Sequence, residues 1–196
     1  NTGFSNLLGG YMTLPNPDLT PETSRNFEAG FRTAAGAVSV GVTAFHNSYD
    51  DFILMATKGF NPATRLLEFQ SQNVTEARIR GVELTVDTTL AGWDLSVQLS
   101  HTDPRNQTRY NPDGSDNANR GNLLARRARN TGRVDVDRTF GKFAFGASLK
   151  GAGHRFDNAA NTVRLGGYAT FDLRVSYALN PDWTLQARMD NAFDRD

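Results

Sequence analysis

The chain has 196 residues, 38% of them hydrophobic, and its 21 basic and 21 acidic side chains cancel to a formal net charge of zero. Balanced charge gives no general attraction to nucleic acid, and the absence of cysteine excludes a disulfide framework, a thiolate nucleophile and a Cys-ligated metal. No run of about 18 apolar residues occurs, which excludes a transmembrane helix but not a β-barrel, whose strands of roughly 9–11 residues show lipid only every second side chain.

The chain opens at Asn1 without an initiator Met or a signal peptide, as a processed or excised segment would. Residues 1–24 are rich in Gly and Pro and are expected to form a loop and a proline-rich approach to the first strand, not a pairing partner. Residues 25–196 are expected to form one strand-rich partial domain, read from period-two alternation. Phe27, Ala29 and Phe31 share one face, and Asn26, Glu28, Gly30 and Arg32 the other. After Ala34-Ala35-Gly36, Val38, Val40, Val42 and Ala44 lie opposite Ser39, Gly41 and Thr43; this strand is expected to reach a loop around Lys58–Arg65. The third strand starts near Leu67 and turns Val82, Leu84 and Val86 out and Gly81, Glu83, Thr85 and Asp87 in. Arg78 and Arg80 fall on its outer face, suited to anionic headgroups above a lipid band and costly within it.

The fourth strand turns out Trp93, Leu95, Val97 and Leu99 and turns in Asp94, Ser96, Gln98 and Ser100. A polar stretch from about Asp103 to Asn122 follows. The fifth strand, expected to begin near Arg126, has Val134 and Val136 out and Arg133, Asp135 and Asp137 in. Phe143, Phe145, Ala147 and Leu149 mark the sixth, and a loop near Gly153–Thr162 leads to the seventh, with Phe171, Leu173, Val175 and Tyr177 out. Leu185, Ala187 and Met189 mark the eighth.

Aromatic residues stand beside the short turns: Phe31, Trp93, Phe143, Tyr177 and Trp183. The opposite strand ends meet long loops rich in Asn, Asp, Gly and Arg. Short turns on one side, long loops on the other and an aromatic rim describe an outer-membrane barrel wall, since rings favour the apolar–headgroup boundary. The fold class is therefore all-β, an antiparallel up-and-down transmembrane barrel of about eight strands. A soluble β-sandwich alternates too, but would bury the turn-side aromatics. An open eight-stranded sheet would leave two bare edges, which lipid does not tolerate. The chain is therefore read as a wall segment of a larger barrel.

Three stretches, in order along the chain, resemble TonB-dependent outer-membrane receptors. Leu14-Pro15-Asn16-Pro17-Asp18-Leu19-Thr20-Pro21-Glu22-Thr23-Ser24, leading into Phe27-Glu28-Ala29-Gly30-Phe31, resembles that family's proline-rich approach to a strand in the C-terminal half of the barrel. Prolines lack an N–H, so strand pairing is expected only after them. Asn73-Val74-Thr75-Glu76-Ala77-Arg78-Ile79-Arg80-Gly81-Val82-Glu83-Leu84 is similar to the family's strand ending in Gly-Val-Glu, with Gly81 permitting close packing. Asp190-Asn191-Ala192-Phe193-Asp194-Arg195-Asp196 is similar to a motif near the family's C-terminus, with Ala192 where Leu is usual. The resemblance implies a barrel of about 22 strands around an N-terminal plug, in which this chain supplies about a third of the wall. It implies an integral protein of the bacterial outer membrane, in contact with lipid and lipopolysaccharide. Such a receptor captures a scarce nutrient, and a TonB complex engaging the N-terminal region drives its import.

Within the family, Leu123-Leu124-Ala125-Arg126-Arg127-Ala128-Arg129 and Gly153-His154-Arg155-Phe156-Asp157-Asn158, with Leu165–Leu173, look most like the cobalamin receptors. That likeness implies a substrate-facing arginine at Arg126, whereas alternation counted back from Val134 turns Arg127 and Arg129 inward. Both Arg126 and Arg127 are candidate substrate-binding residues, able to hydrogen-bond the amides or phosphate of a corrinoid or a carboxylate. Each could instead pair with a wall carboxylate or the plug. A ferric-siderophore receptor and a self-contained eight-stranded structural barrel stand as alternatives. No cofactor or metal site is expected. Asp113-Gly114-Ser115-Asp116-Asn117 lacks the spacing and terminal Glu of an EF-hand and reads as a flexible turn. No enzyme is expected either: Ser100 and His101 point to opposite faces, and His46 follows the lipid-facing Val38–Ala44 series, so neither offers a nucleophile held beside a base.

Overall fold

Alternating stretches of β-branched and aromatic residues become strands because side chains two apart line one face of a pleated ribbon. The computed structural model describes residues 10–111 and 114–194. Its strands are β1 (Tyr11–Leu14), β2 (Thr23–Ala35), β3 (Val38–Asn61), β4 (Leu66–Leu90), β5 (Trp93–Asn106), β6 (Asn130–Phe140), β7 (Phe143–Ala152), β8 (Arg155–Phe156), β9 (Arg164–Leu165), β10 (Tyr168–Asn180) and β11 (Trp183–Met189). The long strands pair in the order β11-β10-β7-β6-β5-β4-β3-β2, the expected meander, while β8 and β9 form a separate hairpin. The barrel is not closed within this chain: β2 and β11 stand at the ends of the order.

Contacts gather into two compact units: Asn1–Asn26 with Asn47–Arg78 and Arg105–Asn122, and Phe27–His46 with Ile79–Pro104 and Leu123–Asp196. In the second unit the register keeps oily rows on one face. Val97 lies opposite Val134 and that opposite Leu149, while Leu95, Val136 and Ala147 form the next row. Leu173 continues from Ala147, and Tyr177 lies opposite both Phe143 and Leu185. Phe145, Leu149, Leu173, Leu185 and Met189 are all exposed, as side chains facing lipid would be. At the short-turn end the aromatic rim is continuous: Trp93 packs edge-on against Phe140, Phe140 against Phe145, Phe145 on Phe143 and Phe143 against Tyr177. Arg138 lies over the rings of Trp93 and Phe140, at 5.1 and 4.2 Å from their centroids, keeping its charge at the rim while its stem stays with the rings.

The opposite face of the same strands carries an ionic ladder. Arg174 donates to Asp137 (3.0 and 2.5 Å) and to Ser148 (2.6 Å), and Ser148 also bonds Asp135. Arg133 pairs with Asp135 (2.5 Å), and Lys150 with Asp172 (2.6 Å). Asp172 also accepts from the Asn191 N–H (2.9 Å), tying the C-terminal turn to β10. Gly146 makes room for this ladder: a Cβ there would collide with Arg174 Nε and Asp137 Oδ1. Gly81 is equally tight, since a Cβ would collide with His101 O and stand 2.8 Å from the Phe45 ring.

The first unit corrects one expectation. The first two dozen residues are not all loop, because β1 pairs in parallel with β4, Tyr11 opposite Leu67 and Leu14 opposite Gln70. Gln107 N–H donates to Glu76 O (2.7 Å) where the chain leaves β5. Beyond that point β1 supplies the partner that backbone groups require. The proline segment then runs from β1 to β2, and β2 begins only after Pro21, as expected. Two strands, β3 and β4, hold it. Pro15 O accepts from Gln70 Nε2 (2.8 Å), Asn16 Nδ2 donates to Ser71 O (2.9 Å), and Glu22 accepts from Ile53 N–H (2.7 Å). Asn73 is the clamp: its Oδ1 accepts from Thr20 N–H (2.8 Å), and its Nδ2 donates to Thr20 O (2.8 Å) and Asp51 O (2.7 Å). Every hydrogen-bonding group of one amide side chain is used, apart from a spare carbonyl lone pair. Asp51 has a positive φ of 61°, a local break in β3 that presents its carbonyl to Asn73.

Candidate functional site

The candidate arginines lie in the segment before β6, inside the second unit. The strand was expected to start near Arg126 but starts at Asn130. Arg126 is left-handed (φ 60°), its N–H donates to Phe156 O (2.6 Å), and its Nε donates to Asp157 Oδ1 (2.8 Å). Residues 127–129 lie outside β6, so parity counted back from Val134 does not reach Arg127. It fails at Arg129 too: Arg129 pairs with Asp103 (3.6 Å), which continues the oily series Leu95, Val97, Leu99 rather than the inward one.

Two loop segments are thereby joined. Leu123 N–H donates to Asn161 Oδ1 (2.8 Å) and Leu123 O accepts from Asn161 Nδ2 (2.9 Å). Leu124 N–H donates to Pro104 O (3.0 Å), and Pro104 is fully buried. The β8–β9 hairpin is closed by Asn158, whose Oδ1 accepts from Thr162 N–H (3.0 Å) and Val163 N–H (3.3 Å). Arg155 lies over the Tyr168 ring (5.5 Å), and His154 packs edge-on against Phe156 (6.3 Å). The Arg126 side chain is 76% exposed yet engaged with Asp157. Arg127 is exposed and makes no hydrogen bond or ion pair among the described residues. The arrangement thus holds Arg126 as an anchor and presents Arg127 as a free planar donor, able to grip a carboxylate, amide or phosphate.

In the first unit, the loop after β5 carries Arg109 over Tyr110 (5.1 Å), a bridge between Tyr110 and Asp116, and an Asn111–Ser115 hydrogen bond (2.9 Å). Asp113, part of the stretch weighed as a calcium loop, lies outside the described residues. His101 Nδ1 meets Asn130 Oδ1 at 2.6 Å. Two features escaped the sequence reading: the clamp at Asn73, whose only signal was its place at the head of a recognisable stretch, and the Asn161 docking contact, which nothing in the sequence marks.

The family model for TonB dependent receptor-like β-barrels matches residues 1–192. The chain is 27% identical over 182 residues to the vitamin B12 transporter BtuB of Photobacterium profundum, across 92% of this chain and 28% of that protein. Among solved structures, the siderophore receptor PirA from Pseudomonas aeruginosa matches with a TM-score of 0.71 at 17% identity, over 97% of this chain and 30% of that one. The ferric yersiniabactin uptake receptor FyuA from Yersinia pestis matches with a TM-score of 0.67 at 21% identity, over 89% and 25%. The chain therefore spans between a quarter and a third of the length of these relatives. With a match over nearly its whole length, an open meander, an aromatic rim and an oily outer face, the chain belongs to the TonB-dependent receptor β-barrel family and is a stretch of wall integral to the outer membrane.

Proposed function

We propose that this wall belongs to a receptor that binds cobalamin at the cell surface and imports it. Arg127 would be the ligand-facing group, and Arg126 would hold it in place. The observation that carries the reading is the docking of the two stretches that look most like cobalamin receptors. Leu123 bonds Asn161, and Arg126 bonds Phe156 and Asp157, which leaves Arg127 exposed beside the hairpin. The likeness to the vitamin B12 transporter BtuB supports the same ligand. Docking of this kind reduces the ordering cost that a free loop would meet on binding. A residue locked to Asp157 contributes through position, while one without a partner keeps its donors for the ligand. Energy for import would come from a TonB complex acting on parts of the receptor beyond this segment, and division of the chain into an extracellular proline-rich lead (1–24) and wall (25–196) is part of the same proposal.

The test is equilibrium binding of cyanocobalamin to the full-length receptor in detergent, with a ferric siderophore in parallel. Saturable cobalamin binding is expected, weakened about tenfold by Arg127→Ala if one charge-assisted hydrogen bond is lost. Arg126→Ala should weaken it less and also loosen the hairpin. Absence of cobalamin binding with saturable uptake of the iron chelate would replace this reading with a siderophore receptor.

A further inference from the structure

At its long-loop end, the face that carries the ionic ladder finishes in a row set by the register. Ser100 lies opposite Thr131, Thr131 opposite Ala152, and Ala152 opposite Tyr168. Tyr168 stands four residues before Asp172 on β10 and so shares its face, the lumenal one. Nine residues separate it from Tyr177 in the aromatic rim. At about 3.3 Å per residue and a tilt of about 40°, that places Tyr168 about 23 Å up the wall, at the mouth opposite the rim. Three small side chains beside one large ring leave a shelf, and Tyr168 is 43% exposed next to it. Gly167 lets β10 begin tight against β7 here, since a Cβ would stand 2.8 Å from Ala152 O.

Arg155 lies over the Tyr168 ring, 5.5 Å from its centroid. It is half-buried, and beyond the ring its side chain makes no hydrogen bond or ion pair among the described residues. Asp157, two residues on, is taken by Arg126. Arg155 is thus a cation held against an aromatic face with its planar fork of donors unspent. Partial burial of a charge without an acceptor is unfavourable, and the fork matches a phosphate or a carboxylate. The hairpin that carries Arg155 is the one docked to Arg126, because Phe156 O accepts the Arg126 N–H. Arg127 and Arg155 therefore belong to one assembly at one end of the wall.

Resting on the cobalamin reading above, we propose that Arg155 takes the phosphate of the ligand's nucleotide tail, with Tyr168 as the residue that positions it. The corrin rim carries neutral amides, and the phosphodiester is the anionic group that a second unpaired arginine can match. The shelf of Ser100, Thr131 and Ala152 gives the tail room beside the ring. Arg155 is then a specificity residue, separating complete cobalamin from a corrinoid without the tail.

The test compares equilibrium binding of cyanocobalamin and of dicyanocobinamide, which keeps the corrin and its amides but lacks phosphate and base, to the full-length receptor in detergent. The unmodified receptor should prefer cobalamin, and Arg155→Gln should cut that preference about tenfold, the scale of one charge-assisted hydrogen bond. Cobinamide should bind Arg155→Gln as it binds the unmodified receptor, which also shows that the variant is folded. Tyr168→Phe keeps the ring face and should leave the preference intact, whereas Tyr168→Leu should reduce it, with little further loss when combined with Arg155→Gln. Equal affinity of the unmodified receptor for both corrinoids would overturn the proposal without any variant having to fold. A preference unchanged in Arg155→Gln, or equal weakening of both corrinoids, would overturn it while leaving the cobalamin reading in place. A receptor that binds neither corrinoid would overturn both.

Discussion

Replacing Asn73 by Asp tests whether the proline segment is held by one amide. Asp keeps the shape and one acceptor for Thr20 N–H, but loses both donations, to Thr20 O and Asp51 O. It also sets a carboxylate against two carbonyls. At about 0.5 kcal/mol per exposed hydrogen bond, the low end of the usual range, the two losses cost about 1 kcal/mol. Asn73→Ala removes all three and costs about 1.5 kcal/mol on the same scale. These are local opening energies, because the affected groups lie in the segment between β1 and β2 and need not unfold the sheet. The assay is hydrogen exchange of the full-length receptor, read on a peptide covering residues 15–22. Three of those residues are prolines without an N–H, so the signal comes from few amides, Thr20 among them. Exchange there should accelerate about fivefold in Asn73→Asp and about tenfold in Asn73→Ala, with β6 and β7 unchanged. Unaltered exchange at 15–22 in both variants would refute the clamp. Acceleration spread evenly over the sheet would show instead that Asn73 supports the whole wall.

Gly146→Ala places a Cβ where Arg174 and Asp137 meet, and should cost about 1–3 kcal/mol as overpacking, measured by urea unfolding in lipid. The same change in an Arg174→Ala background should cost clearly less, and equal costs in both backgrounds would sever the glycine from the ladder. Gly81→Ala, facing His101 O and the Phe45 ring, should destabilise to a similar extent, since one of its two obstacles is backbone. Arg138→Met keeps an apolar stem but removes the cation over Trp93 and Phe140. A loss of about 0.5–1 kcal/mol is expected from the same unfolding curves.

The outer face of the wall was legible because lipid asks the same thing of every second residue. Val97, Val134 and Leu149 could be assigned from alternation alone and then fell in one row. The aromatic rim was legible for the same reason. What the sequence hid depends on pairing between distant segments. Tyr-Met-Thr-Leu is too short to announce β1, and its parallel partner lies more than fifty residues on. The two-residue strands β8 and β9 carry no periodicity. β6 begins only at Asn130 and Arg126 adopts a left-handed conformation without being Gly, Asn or Asp, so nothing local marked where the alternation stops or the chain turns. The inner ladder was half visible: Arg133, Asp135 and Asp137 were placed inward, but their partners Ser148 and Arg174 follow only from the register of three strands. As for the site, residue type singled out the arginines, while the division between anchored Arg126 and free Arg127 required the fold.

The central claim is that alternate positions along each of these strands meet lipid and lumen. It is tested most directly by spin labels at single cysteines, Leu95→Cys against Ser96→Cys and Val175→Cys against Ser176→Cys, in the full-length receptor reconstituted in bilayers. This chain contributes no cysteine of its own. Labels at 95 and 175 should collide freely with oxygen dissolved in lipid and be shielded from a water-soluble relaxant, with the pattern reversed or both collisions lost at 96 and 176. Equal accessibility within each pair, or lipid exposure at 96 and 176, would contradict the account.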